Sequence, residues 1–244
     1  QDLKRSGPDR QKIMPILYRP FDVRFTYYTG KSRGFHCRPR PEVMRHMLSG
    51  ENVALMTCRQ ISQPVWTHAL VSDQITDDCM VSNRTKERGY LFPLYLYPES
   101  GPQAQYSILE TQQKQANLNE KVEVALVNAY GQAPTPEAIF DYIYAVLYAP
   151  AYREQYAEVL RTDFPRIPFP ADRELFFAVS ALGGRLVALH LHRSHELDTP
   201  LARFEGQGNN RVAKNVREGF RYMPEEQRIF INPMQFFAPI PPEV

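Results

Sequence analysis

Cysteine is scarce and unpaired in this 244-residue chain: Cys37, Cys58 and Cys79 are odd in number, widely spaced and form no Cys-x-x-Cys motif. That excludes a disulfide framework and a thiolate zinc cage, and suits reduced thiols in the cytoplasm. No apolar run approaches the roughly 20 residues of a membrane span, and no signal peptide opens the chain. Net charge is also small, at +2, so no global field announces a polyanionic partner.

Catalytic signatures are missing too. Gly30-Lys31-Ser32 ends like a phosphate-binding loop, but Phe25 stands where that motif needs glycine. Asn232-Pro233-Met234-Gln235-Phe236-Phe237 lacks the second proline and the immediate aromatic of an amino-methyltransferase signature. Gly206-x-Gly208 has no strong strand before it and no clear helix after it. A Gly-x-Ser-x-Gly elbow is absent, and Asp77-Asp78, the only acidic pair of the N-terminal half, has no lysine placed for Mg²⁺ chemistry. Of His190, His192 and His195, only the last two could share a ligand on a helix, with no third donor. The fragment reads as non-enzymatic.

What is present is a mixed α+β pattern: a β-rich N-terminal half, a helical middle and a short β return. Residues 1–12 read as a linker, 13–110 as a β-rich recognition part, 111–200 as a helical subdomain, and 201–244 as a β return packing on the first part. Both ends read as cuts in a longer protein. Phe21, Val23 and Phe25 alternate with Asp22, Arg24 and Thr26, which predicts a half-buried strand with the apolar row inward. A helix is expected over 42–48, strands over 52–58, 66–75, 78–82 and 90–97 (with Pro93 demoting the last to an edge or a bulge), a loop or linker over 99–118 and a helix over 120–130. Thr135 caps a helix that Pro136 opens and that stops or kinks at Pro150, with Ile139, Phe140, Ile143, Val146 and Leu147 inward. A second helix turns Tyr152, Tyr156, Val159 and Leu160 inward. Pro165, Pro168 and Pro170 then impose an extended strap. A third helix over 172–193 carries the stripe Leu175, Val179, Leu182, Leu186 and Leu189, with Gly183-Gly184 allowing close packing. Residues 206–210 form a turn, and 211–222 and 228–231 read as strand pieces.

Four loops combine Arg or Lys with Asn or Gln: Lys31, Arg33, Arg38 and Arg40; Arg59, Gln60 and Gln63; Asn83, Arg84, Lys86 and Arg88; and Asn209, Asn210, Arg211 and Lys214. Arg can read guanine bidentately, Asn and Gln can read adenine, and Lys and Arg neutralise phosphates. Any one such loop alone is ordinary solvated surface. Four of them, each beside a strand, point to double-stranded DNA. A second reading is a protein-interaction module that uses the aromatic segments 90–97 and 142–156.

Several segments together resemble a known family: Tyr18-Arg19-Pro20-Phe21-Asp22, Arg38-Pro39-Arg40 followed by EVMRHML, Arg59-Gln60, FPLYLYP from Phe92, and IFDYIYAVLYAPAYREQYAEVLRTDFPRIP. In this order they resemble the C-terminal target-recognition region of type ISP restriction–modification enzymes and, more loosely, of related single-chain enzymes. The resemblance implies a specificity domain without activity of its own. It also implies a parent chain that carries nuclease, ATPase and N6-adenine methyltransferase parts, with S-adenosylmethionine, Mg²⁺ and ATP bound there.

Overall fold

A computed structural model describes residues 3–4, 7–84, 87–98 and 114–242. The chain divides into two compact units, Gln1–Arg193 and Ser194–Val244. Most of the expected loop 99–118 lies outside the described residues, as does Lys86.

The first unit combines three small sheets with a helical layer. Strands β1 (Ile13–Arg19) and β2 (Asp22–Tyr27) form an antiparallel ribbon, and β1 also pairs in parallel with β5 (Ile75–Thr76). In the second sheet β3 (Ala54–Cys58) lies between β4 (Ala69–Ser72) and β6 (Gly89–Pro93). Pro93 ends an edge strand, where its missing N–H is harmless. Strands β7 (Tyr95–Leu96) and β8 (Gln115–Ala116) make a two-stranded pair. The helices are α1 (Pro41–Leu48), α2 (Glu120–Tyr130), α3 (Pro136–Tyr148), α4 (Pro150–Gln155), α5 (Ala157–Thr162) and α6 (Arg173–His190).

Helix α3 is the centre of this unit. The Thr135 hydroxyl accepts from the Ala138 N–H, and Pro150 closes the helix by forcing Ala149 into an extended conformation. One side of α3 (Ile139, Tyr142, Leu147) packs with Leu126, Leu160 and Phe176, and the other (Phe140, Tyr144) packs on Val71 and Leu94. A helix buried on both sides has little polar surface, as observed here.

The proline strap leaves α5 as extended chain, and its carbonyls are satisfied by tyrosines from three helices. Tyr152, Tyr142 and Tyr130 donate to the carbonyls of Arg166 (3.0 Å), Pro168 (2.7 Å) and Pro170 (2.6 Å). Alternate residues of an extended chain point the same way, so one row of hydroxyls clamps it.

Several expectations are corrected. The alternation in β2 is real, but its apolar row is outward: Phe21, Val23 and Phe25 are 53%, 50% and 77% exposed. Register is the reason. Arg24 and Thr26 lie opposite Ile16 and Met14, the residues that pack on Tyr28, Met47 and Ile75, so the polar row takes that face of the ribbon, with Arg24 itself reaching solvent beside Asp22. Residues 78–82 form turns rather than a strand. The buried stripe of α6 is Phe176, Ser180 and Gly183, while Leu175 and Leu182 stay exposed. Here closeness of approach outweighs side-chain size. A Cβ on Gly183 would overlap the Asp141 carbonyl of α3, and the Ser180 hydroxyl donates to the Ala138 carbonyl at 2.9 Å. Val159, too, is exposed, because the helix after Pro150 breaks at Tyr156 and resumes as α5.

The second unit is one antiparallel sheet in the order β10 (Arg221–Met223), β11 (Arg228–Phe230), β12 (Phe236–Ala238), β9 (Arg203–Glu205). Residues 211–215 are irregular, not strand, and β9 and β12 are too short to show a period.

Two predictions follow from the α3–α6 contact. Gly183→Ala drives the helices apart and lowers stability by about 1–3 kcal/mol, read from the urea midpoint. Burial, and then the neighbouring Glu137, push Asp141 up from 3.8 to about 6. The native state therefore holds a proton that the unfolded state has lost, and stability falls as pH rises through that window. Asp141→Asn should raise stability at pH 7 by about 1–2 kcal/mol and flatten the pH dependence.

Candidate nucleic-acid interface

The loop that follows β2 is anchored at both ends. Thr26 Oγ1 meets His36 Nε2 at 2.8 Å, and the Tyr28 hydroxyl donates to the Pro39 carbonyl at 2.8 Å. Arg33 and Arg40 both adopt positive φ (61° and 49°), a strained conformation for a branched-out side chain that the anchors must hold. Lys31, Arg33 and Arg38 are exposed and have no acidic partner among the described residues, whereas Arg40 pairs with Glu42 at 3.6 Å.

The loop after β3 is tied to the helical layer. The Ile61 N–H donates to the Arg161 carbonyl at 3.1 Å, and Arg59 Nε donates to Asp163 at 3.1 Å, on the last turn before the strap. Gln60 is exposed beside them, and Gln63 is half-buried. In the loop before β6, Asn83 and Arg84 are exposed and Arg88 pairs with Asp78.

These loops are joined by a residue that sequence reasoning missed. Glu87 is fully buried and accepts from the Ser62 N–H (2.7 Å), the Ser62 hydroxyl (2.6 Å) and the Ser82 hydroxyl. His68 Nε2 lies 3.4 Å from its other face. Burial pushes the carboxyl up, but the serine donors and then His68 outweigh it and hold Glu87 at about 2. His68 itself is shifted down, chiefly by burial, so it is neutral; its Nδ1 accepts from the Thr67 N–H at 3.2 Å, which leaves the proton on Nε2. Behind Glu87, the Cys58 thiol is pushed up to about 12 by burial and donates to the Glu87 carbonyl at 3.3 Å, so it is no nucleophile. A glutamate in the run NRTKERG reads as solvated surface; only the seryl residues on two loops betray it, and nothing in their spacing pairs them.

The first and third loops share a cleft of about 770 Å³ whose walls include Arg38, Arg40 and Arg88 on one hand and Glu42, Asp77 and Asp78 on the other. Its charge is mixed, not uniformly positive. Asp77, Asp78 and Cys79 come within 4.8 Å of one another, but Asp77 is paired with Arg19 and Asp78 with Arg88.

In the second unit the fourth loop is built on Gln235, which is 2% exposed. Its Oε1 accepts from the Asn210 N–H (2.9 Å) and from Asn232 (3.0 Å), and its Nε2 donates to Asn210 Oδ1 (2.7 Å). Asn210 is thus half committed to structure. Asn209 caps the Arg211 N–H at 3.0 Å, and the exposed side chains of Arg211 and Lys214 have no acidic partner among the described residues. Of the three histidines, His190 binds the Tyr144 hydroxyl (2.6 Å), His192 stacks on Phe21, and His195 lies against Asp198 (3.2 Å).

Glu87 contributes stability that is complete above about pH 4.5 and fades as pH falls toward 2, since the folded state resists protonation. Glu87→Ala should cost about 2–4 kcal/mol at pH 7, because it orphans several buried donors, and should flatten this acid limb in urea titrations.

Among curated proteins none matches this chain. Among solved structures, a cryo-EM DrdV–DNA complex is similar at 25% identity and a TM-score of 0.64, over 96% of this chain and 22% of that one. Two others share the fold at 20% identity. A nuclease-deletion mutant of the Type ISP restriction–modification enzyme LlaGI, in complex with a DNA substrate mimic, has a TM-score of 0.61 and is matched over 96% of this chain and 19% of that one. The ATP-dependent Type ISP restriction–modification enzyme LlaBIII bound to DNA has a TM-score of 0.66 over 98% and 15%. The chain thus spans about a fifth or less of the length of these relatives. A family model described as the Type ISP C-terminal specificity domain matches residues 1–244, and the chain belongs to that family.

Proposed function

We propose that this chain reads the base sequence of double-stranded DNA as the target-recognition part of a restriction–modification enzyme. The observation that carries the reading is the specificity-domain match over the whole chain, supported by the likeness to a DrdV–DNA complex. Of the cations on the candidate loops, we assign Lys31, Arg33 and Arg38 in one unit and Arg211 and Lys214 in the other, exposed and without acidic partners among the described residues, to phosphate contacts. Arg59, Gln60, Gln63, Asn83, Arg84, Lys86, Arg88, Asn209 and Asn210 are the candidates for base edges. On this reading the methyltransferase, nuclease and ATPase parts, with S-adenosylmethionine, Mg²⁺ and ATP, belong elsewhere in a parent chain that works in the cytoplasm. Among the described residues no helix is long and apolar enough to cross a membrane.

The protein-interaction reading loses part of its surface. Tyr142, Tyr144 and Tyr152 are buried in the core and Tyr97 is 7% exposed, while Tyr90 and Phe92 stay exposed and meet Phe164 edge-on.

In mobility-shift titrations, Arg211→Ala and Lys214→Ala should each weaken binding to all sequences alike and reduce the slope of log K against log salt by about 1. Arg59→Ala or Gln60→Ala should relax selectivity by about 1–3 kcal/mol at one base pair, the worth of a bidentate contact. A salt-independent, sequence-blind interaction would overturn the assignment.

A further inference from the structure

The ring of hydrogen bonds around Glu87 has a direction. An ionised carboxylate can only accept, so both serine hydroxyls must spend their single proton on it. Each seryl oxygen is then left with lone pairs alone, and each takes a donor from the same residue. The Ser82 oxygen accepts the Arg84 N–H at 3.2 Å, and the Ser62 oxygen accepts Arg84 Nη1–H at 3.4 Å. A turn from the Arg84 carbonyl to the Glu87 N–H, 3.1 Å, closes the ring. Its members come from two loops that lie about twenty residues apart in the chain.

We infer that Glu87 is a positioning residue that makes the segments 59–64, 82–84 and 87–88 a single reading element and sets the Arg84 guanidinium as its reading tip. The inference rests on the DNA-reading assignment and deepens it. Three observations carry it. Glu87 is fully buried, whereas Arg84 is exposed and has no carboxylate partner among the described residues, so most of its five donors are left for a ligand. A buried ion is a poor device for stability alone, since an apolar side chain of similar volume would serve as well or better; what it supplies is a unique arrangement. Lastly, the far side of the carboxylate faces a neutral imidazole, with His68 Nε2 3.4 Å away, so an amide is a poor replacement for the acid. With Gln at 87, one amide oxygen can keep Ser62, but the NH₂ group then faces both the His68 N–H and the Ser82 hydroxyl. Ser82 must then turn its proton away from residue 87, which disturbs the oxygen that accepts the Arg84 N–H.

The test is selection from a duplex library with randomised base pairs, run on the whole chain beside a non-specific duplex titration and thermal melting. Glu87→Gln and the milder Ser82→Ala should keep a cooperative melt and non-specific affinity within about twofold. Both should lose about tenfold in selectivity, equivalent to about 1.4 kcal/mol, at the same base pairs that Arg84→Ala relaxes. Combining either with Arg84→Ala should add nothing further, the mark of side chains acting through one another. Ser82→Thr, which retains the hydroxyl, should restore selectivity. A selective wild type whose preferences survive Glu87→Gln and Ser82→Ala, or losses that add independently to that of Arg84→Ala, would overturn this inference while leaving the DNA-reading assignment in place. A wild type without sequence preference would overturn both.

Discussion

An ionised carboxylate taken wholly out of water must be surrounded by donors, and in the first unit this requirement dictates where the recognition loops lie. Glu87 has no exposed surface, its donors are found on a loop after β3 and on a loop before β6, and His68 beside β4 lies 3.4 Å away. Separating those loops would strand the charge, which is far more costly than losing any one surface contact. Segments that read as independent polar connections are in this way fixed to one another.

The helical layer supplies the rigid side of the arrangement. Tyr130, Tyr142 and Tyr152 pin the proline strap through its own carbonyls, and the residues just before it, Arg161 and Asp163, hold the backbone and the arginine of the loop after β3. Rigidity passes in this order from α3 to the strap, from the strap to Arg59 and Ile61, and from Ser62 through Glu87 to Arg84. A site whose partners are set before the ligand arrives loses less conformational entropy on binding. The cations proposed for phosphates need no such support and have little: Lys31 and Arg38 are exposed, without acidic partners among the described residues, on an anchored but irregular loop.

Much of this was legible in the sequence where a local rule decides the structure. Thr135, Pro136 and Pro150 bound α3 because capping and proline sterics act over a few residues. The strap follows from three prolines, and the edge position of β6 from one. The errors share a different cause. Which face of β2 is buried depends on the register with β1, and which face of α6 meets α3 depends on how near two backbones can come at Gly183. Periodicity measures how regular a face is but not what lies opposite. Glu87 was invisible for the same reason, since its partners are set by tertiary contacts between loops, while Gln235, whose partners Asn210 and Asn232 sit in recognisable turns, was nearer to being found.

The central claim is that a duplex lies against the loops and not against the helical layer. Amide hydrogen exchange, compared between a duplex carrying the selected site and a scrambled duplex, tests it most directly. Site-dependent protection should appear over 31–40, 59–64, 83–88 and 209–214 and leave α2 and α6 unchanged. Protection confined to the helices, with those loops exchanging as in the free chain, would contradict it.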